Sequence, residues 1–254
     1  MVLDPSAGTA SLPWYPSPVT RAAEDRLWSA LQDRVRLPAR SEPNDLLAHW
    51  RDPAMVLSQT CTPPYRRHLA DRVTLVAAPD FGLPDCPPGD YASVLVQRSG
   101  DDRGQADWPS MRLAVNDRLS QSGFGAPTQY AAARGTRFGD LHLTGAHRVS
   151  IRAVADGLAD IAAIDAQTWR LLSRHDPVVA RLKVVARTAP TPAPPYITGD
   201  AALAPVLFAA LSGALASLSP DDRGTLGLYG IVAIRPGAYD APLQSPTASS
   251  LFGK

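Results

Sequence analysis

The run Asn116-Asp117-Arg118-Leu119-Ser120-Gln121-Ser122-Gly123 carries residue types suited to holding an anion. Ser120 and Ser122 offer hydroxyl donors, Gln121 stands between them, and Gly123 lets backbone approach a ligand closely. The run follows a predicted strand and precedes a predicted helix. Unpaired N–H groups at a helix start favour negative charge there, so the turn suits a phosphate, a phosphonate or a carboxylate. Serine and glycine are also ordinary capping and turn residues, and that reading stands beside the first.

Asp165 follows the apolar run Ile161-Ala162-Ala163-Ile164 and precedes Thr168 and Trp169. Ligands of parallel sheets are read beyond the carboxyl ends of the strands. Asp165 could therefore hold an ammonium or hydroxyl group, or it could cap the helix that follows. His147 has the same kind of position after a strand ending at Thr144, as an anion donor or as a structural histidine. Ser58, Gln59 and Thr60 follow a second predicted strand, Trp14 and Tyr15 follow the first, and Tyr91 precedes the fourth. Aromatics at strand ends either line a cleft or pack a core.

The chain has no G-x-S-x-G elbow, no G-x-x-x-x-G-K-[ST] loop and no H-E-x-x-H helix. No strong base adjoins the serines in sequence, so nothing compels an enzyme. The acid pairs Asp101-Asp102 and Asp221-Asp222 sit in polar, turn-like runs and are expected to be solvated. Cys61 and Cys86 have no histidine at metal-ligand spacing, and no cofactor motif is present. The two cysteines could form one bridge, implying an oxidising compartment, or stay as two unreactive thiols.

Short apolar runs alternating with helical patterns must position these residues. They predict an α/β fold of mostly parallel sheets flanked by helices. Strands are expected at 9–12, 55–57, 73–77, 92–96, 112–116, 140–144, 161–164 and 182–186. A helix led by Pro18 should bury Ala22, Leu27, Ala30, Leu31 and Val35. Further helices are expected at 127–133, 149–158, 169–173 and 201–218. The polar stretch 99–110 and the proline-rich stretch 188–195 read as joints. They predict one lobe of residues 1–104 plus 189–254, a second of 105–188, and a hinged clamshell with its ligand cleft between them. A single α/β domain is the alternative. Residues 245–254 are expected to fray.

The chain has 254 residues, 25 Lys+Arg against 24 Asp+Glu, and 45% hydrophobic residues. A net charge of +1 argues against a nucleic-acid protein held by bulk electrostatics. No apolar run approaches the ~20 residues of a membrane-spanning helix. Met1 to Ala10 lacks the basic and apolar regions of a secretory leader. The protein is accordingly expected to be cytoplasmic, or periplasmic if a leader has been removed.

Six segments occur in a telling order: LSQTC (57–61), CPPGDY (86–91), AVNDRLSQSG (114–123), TGAHRVSI (144–151), ADIAAIDAQTW (159–169) and PYIT (195–198). Together they resemble the phosphate, phosphite and phosphonate substrate-binding proteins of ABC transporters, the phosphonate-binding-protein-like group of the type 2 periplasmic binding fold. The resemblance covers about residues 8 to 240. It implies that Ser120, Gln121, Ser122 and Gly123 grip oxyanion oxygens, that Asp165 meets an amino group, and that Tyr15 and Tyr91 line the first lobe. It also implies a small oxyanion ligand, a permease partner, no catalysis and a monomer. Gln121 between the serines departs from the family pattern. Two alternatives remain open: a cytoplasmic enzyme of the same fold resembling chorismate dehydratase, and a ligand-sensing module.

Overall fold

The computed structural model describes residues 7–15, 17–235 and 237–240; the run 245–254, expected to fray, lies outside them. In chain order the strands are β1 (Thr9–Ala10), β2 (Met55–Gln59), β3 (Thr74–Asp80), β4 (Asp90–Tyr91), β5 (Ser93–Arg98) and β6 (Arg112–Val115). They continue with β7 (Asp140–Leu143), β8 (Ile161–Asp165), β9 (Leu182–Arg187), β10 (Thr191–Pro192), β11 (Tyr196–Thr198) and β12 (Gly230–Val232). The chain divides into two compact units, residues 7–90 with 192–240, and residues 91–191.

Unit one holds a sheet in the order β1-β2-β11-β3-β12. β1 runs parallel to β2, while β11 lies antiparallel between β2 and β3, and β12 is antiparallel to β3. Every residue of β2 is buried, as expected of a strand covered on both faces. The helix Ala204–Ser217 buries Leu207, Ala210, Leu211, Ala214 and Leu215, an i, i+3, i+4 stripe. The helix after Pro18 begins only at Arg21, because Ser17 and Thr20 first close a turn, each backbone N–H bonding the other's hydroxyl at 3.1 Å. Its buried face is Ala23, Leu27, Trp28 and Leu31; Ala22 is exposed and Val35 lies past the helix end.

Unit two holds the order β7-β6-β8-β5-β9. β6, β7 and β8 are parallel, and β5 runs against both β8 and β9. Trp108 stacks on Phe138 at 5.2 Å within a core that includes Leu95, Met111, Leu113, Phe124 and Ile161.

The chain passes from one unit to the other at 90/91 and at 191/192, so residues 91–104 and 189–191 fall in unit two instead of the first lobe. The reason is β5, which pairs on both sides within unit two. The polar stretch 99–110 is a locked loop. Arg103 bonds Asp101 and Asp160 at 2.6 Å each, Arg98 reaches both acids, and Trp108 is 3% exposed. Composition does not distinguish a solvated linker from an ion-paired loop.

The two acid pairs also divide. Asp102 is exposed, but Asp101 is buried in that network. Asp222 holds Arg26 through two hydrogen bonds of 2.9 and 2.5 Å, tying the helix Pro220–Leu226 to Arg21–Gln32. Cys61 precedes the short helix Thr62–Pro64, and both Cys61 and Cys86 are half-buried.

Candidate anion-binding site

Because β6, β7 and β8 are parallel, their carboxyl ends share one sheet edge, and antiparallel β5 begins at that same edge. Four sequence-predicted segments are thereby collected in unit two: 116–123 after β6, 144–150 after β7, Asp165 at the end of β8, and Tyr91 two residues before Ser93.

Ser120 caps the turn that follows, its Oγ accepting from the Gly123 N–H at 3.0 Å. Gln121–Gly125 forms one wide π-type turn leading into the helix Ala126–Ala132; such turns recur at functional sites. The Ser120 and Ser122 hydroxyls lie 3.4 Å apart, and Ser122 Oγ is 2.9 Å from His147 Nε2. Ser93 Oγ donates to the Ser122 carbonyl at 2.9 Å. Ser120, Gln121 and Ser122 are all buried. The Gln121 carboxamide folds back toward Gly125, within its own turn.

Gly123 allows a close approach of the Asn116 side chain. A Cβ there would fall 1.8 Å from Asn116 Oδ1 and 3.2 Å from His147 Cε1. Asn116 Oδ1 is buried without a hydrogen-bond partner, as befits a site lined for a ligand.

His147 opens the helix His147–Ala155, whose first turn has no side-chain cap, so its leading N–H groups are available to an anion. The ring is half-exposed overall while its Nδ1 is fully buried and makes no hydrogen bond. Burial pulls the imidazole down to about 4, the nearby Ala163 carbonyl opposing weakly. His147 is therefore neutral near pH 7. The Ser122–His147 spacing resembles a nucleophile and its base, yet no acid orients Nδ1, and a base this weak is poorly matched to proton abstraction. The pair is built for hydrogen bonding.

Asp165 pairs in register with Ser93 and so lies beside the Ser122 turn. It is buried and caps the helix Ala166–His175, one carboxylate oxygen accepting from the Thr168 N–H at 2.9 Å. Capping, the alternative raised for it, is present. Tyr91 is 2% exposed and belongs to unit two instead of the first lobe.

The remaining residues lie in unit one. Ser58 is fully buried and committed to a core network: it accepts from Trp50 Nε1 at 3.1 Å and bonds Ser11 Oγ at 2.8 Å, which bonds His49 Nε2 at 2.9 Å. That network ties three segments together and leaves Ser58 no face for a ligand. Gln59 lines a small cavity of about 50 Å³ with Trp14, Tyr15, Phe81 and Tyr196. Tyr15 sits at φ 67 and meets Phe81 edge-on at 5.3 Å, a backbone conformation rare outside glycine. Trp14 Nε1 and Thr60 Oγ1 are buried without partners.

Sequence reasoning missed Ser93 and Thr188 as site residues. Ser93 N donates to Thr188 Oγ1 at 2.9 Å, and both are buried at the same edge. A serine opening an apolar strand was the only local signal. No group of three metal-ligating side chains occurs among the described residues.

The profile of the family described as "ABC transporter, phosphonate, periplasmic substrate-binding protein" matches residues 65–241, well over half the chain. The chain belongs to this family. Solved structures agree on the two-lobed periplasmic-binding-protein fold. The PhnD1 protein of Prochlorococcus marinus, solved with methylphosphonate, is similar with a TM-score of 0.73 and 13% identity over 92% of this chain and 95% of that one. A binding component of a Pseudomonas aeruginosa phosphonate transporter gives 0.71 at 15% identity over 91% and 82%. A Xanthomonas citri protein solved with ATP gives 0.66 at 15% identity over 92% and 94%. No curated protein matches by sequence. Phosphonate-family membership makes this a transport substrate-binding protein, for which a small ligand and a permease are the natural partners.

Proposed function

We propose that this chain works in the periplasm as a monomer, capturing a small phosphonate, phosphate or phosphite for its ABC permease. Ser120, Ser122, the amides at Gly123 and His147 hold the oxyanion, and Asp165 reads an amine or hydroxyl on the ligand. The observation that carries this reading is the Ser120–Ser122–His147 chain of hydrogen-bonding groups at a helix start, with Ser122 Oγ 2.9 Å from His147 Nε2.

Titration calorimetry against phosphate, phosphite, methylphosphonate, 2-aminoethylphosphonate and chorismate tests it. A hydrogen bond to a charged ligand contributes roughly 1.5–3 kcal/mol, so Ser122→Ala should weaken oxyanion binding about ten- to a hundredfold. Tight binding indifferent to Ser122→Ala would remove the site, and turnover of chorismate would favour an enzyme.

Asp165 needs a gentler variant than alanine, because its cap would be lost as well. Asn caps helices about as well as Asp, so Asp165→Asn removes the charge and keeps the helix. It should weaken 2-aminoethylphosphonate and spare methylphosphonate. Equal losses for both ligands would assign Asp165 to capping alone.

A further inference from the structure

Beyond the oxyanion residues, unit two carries a groove of about 490 Å³, a volume typical of small-molecule sites. One wall is a face of the helix that starts at the serine turn, where Ala126, Gln129 and Tyr130 recur at helical spacing, with Arg134 in the turn just past its end. Arg187 and Thr188, at the end of β9, form the other wall.

Two guanidinium groups line this groove. Arg134 lies over the Tyr130 ring at 3.5 Å and donates to the Tyr130 carbonyl at 3.3 Å, which fixes its plane. Arg187 has no ion-pair or side-chain hydrogen-bond partner among the described residues, while Arg98, Arg103 and Arg181 of the same unit are all paired. Planar guanidinium groups bind carboxylates and phosphoryl groups through two parallel hydrogen bonds. Ala126 and Tyr130 supply apolar surface for a short carbon body.

The groove adjoins the oxyanion residues through a single residue. Thr188 Oγ1 accepts from Ser93 N, and Ser93 Oγ donates to the Ser122 carbonyl, both at 2.9 Å. Arg187 stands opposite Val94 in the β5–β9 register.

We propose that this groove is a second subsite for the far end of a ligand whose phosphoryl group sits at Ser120 and Ser122, a step that rests on the function proposed above. The substrate class is a small organophosphonate or organophosphate bearing a second anionic group, a carboxylate or another phosphonate. Asp165 reads substituents close to phosphorus, and Arg187 with Arg134 reads the anion further out.

The test is calorimetry on the full chain with methylphosphonate, phosphonoacetate and methylenediphosphonate, in wild type, Arg187→Gln and Arg187→Lys. The readout is the affinity ratio of each second-anion ligand to methylphosphonate. We expect a ratio of about ten or more in wild type, several-fold lower in Arg187→Gln, where Arg134 alone remains, and intermediate in Arg187→Lys. A ratio that is the same in wild type and Arg187→Gln overturns the subsite. If methylphosphonate binding still depends on Ser122 in that case, the oxyanion site stands alone. If no phosphonate binds the wild type, both readings fall.

Discussion

At His147, burial of the inner ring edge disfavours the imidazolium, and the ring titrates at about 4 instead of near the ordinary 6.5. The sign of the resulting pH effect follows from linkage. Between those two values the unfolded chain holds a proton that the folded chain does not, so His147 lowers stability as pH falls from about 6.5 to about 4. An NMR titration of the unliganded protein should show the His147 ring still neutral at about pH 5. A midpoint near 6.5 would reject the buried neutral ring. At Gly123 the constraint is steric, since Asn116 occupies the space a side chain would need. The proposed anion site thus combines a neutral ring, two hydroxyls and a glycine whose replacement would push the Asn116 side chain aside.

Among the elements, the loop following β5 has the most to gain from its charges. Arg103 draws Asp101 down to about 2, and the same guanidinium reaches Asp160, clamping the loop to the start of β6 through the Asp160 bond to the Arg112 N–H at 2.8 Å. A depressed carboxylate stabilises the fold above its ordinary pKa near 4 and stops doing so as pH falls toward 2. Arg103→Ala leaves Asp101 and Asp160 with Arg98 as their remaining guanidinium and should cost about 1 kcal/mol near neutral pH. In urea unfolding, wild type should lose more stability between pH 4 and pH 2 than Arg103→Ala does. Identical slopes would show that the network adds nothing.

At the scale of the molecule, residues 91–191 form a continuous stretch with a complete five-stranded sheet, its own core and the whole Ser120–Ser122–His147 cluster. The two ends of the stretch are near each other, because β4 and β10 pair, so excision cuts only that two-residue pairing. A fragment of residues 91–191 should fold by itself, giving a cooperative thermal transition and dispersed NMR amide signals. A fragment without cooperative unfolding would show that unit two depends on unit one. Unit one is discontinuous and has no such shortcut.

Capping chemistry and strand-to-helix succession are local, and they were legible in the sequence. Ser120 as an N-cap, Gly123 at a close approach and Asp165 at a strand end could each be named from their neighbours, and the ordered motifs pointed to the family. Which strand lies beside which is a long-range matter. Ser93–Arg98 reads as an apolar run wherever it falls, and only its pairing with β8 and β9 puts it in unit two. Ser58 looks like a ligand residue until Trp50 and Ser11 are found on its hydroxyl. Asp101 and Asp222 look solvated until Arg103 and Arg26 arrive from elsewhere in the chain. The sequence by itself determined the elements, their caps and the family; the tertiary structure decided strand partners, unit boundaries and which polar groups are already spent, because those depend on contacts between residues far apart along the chain.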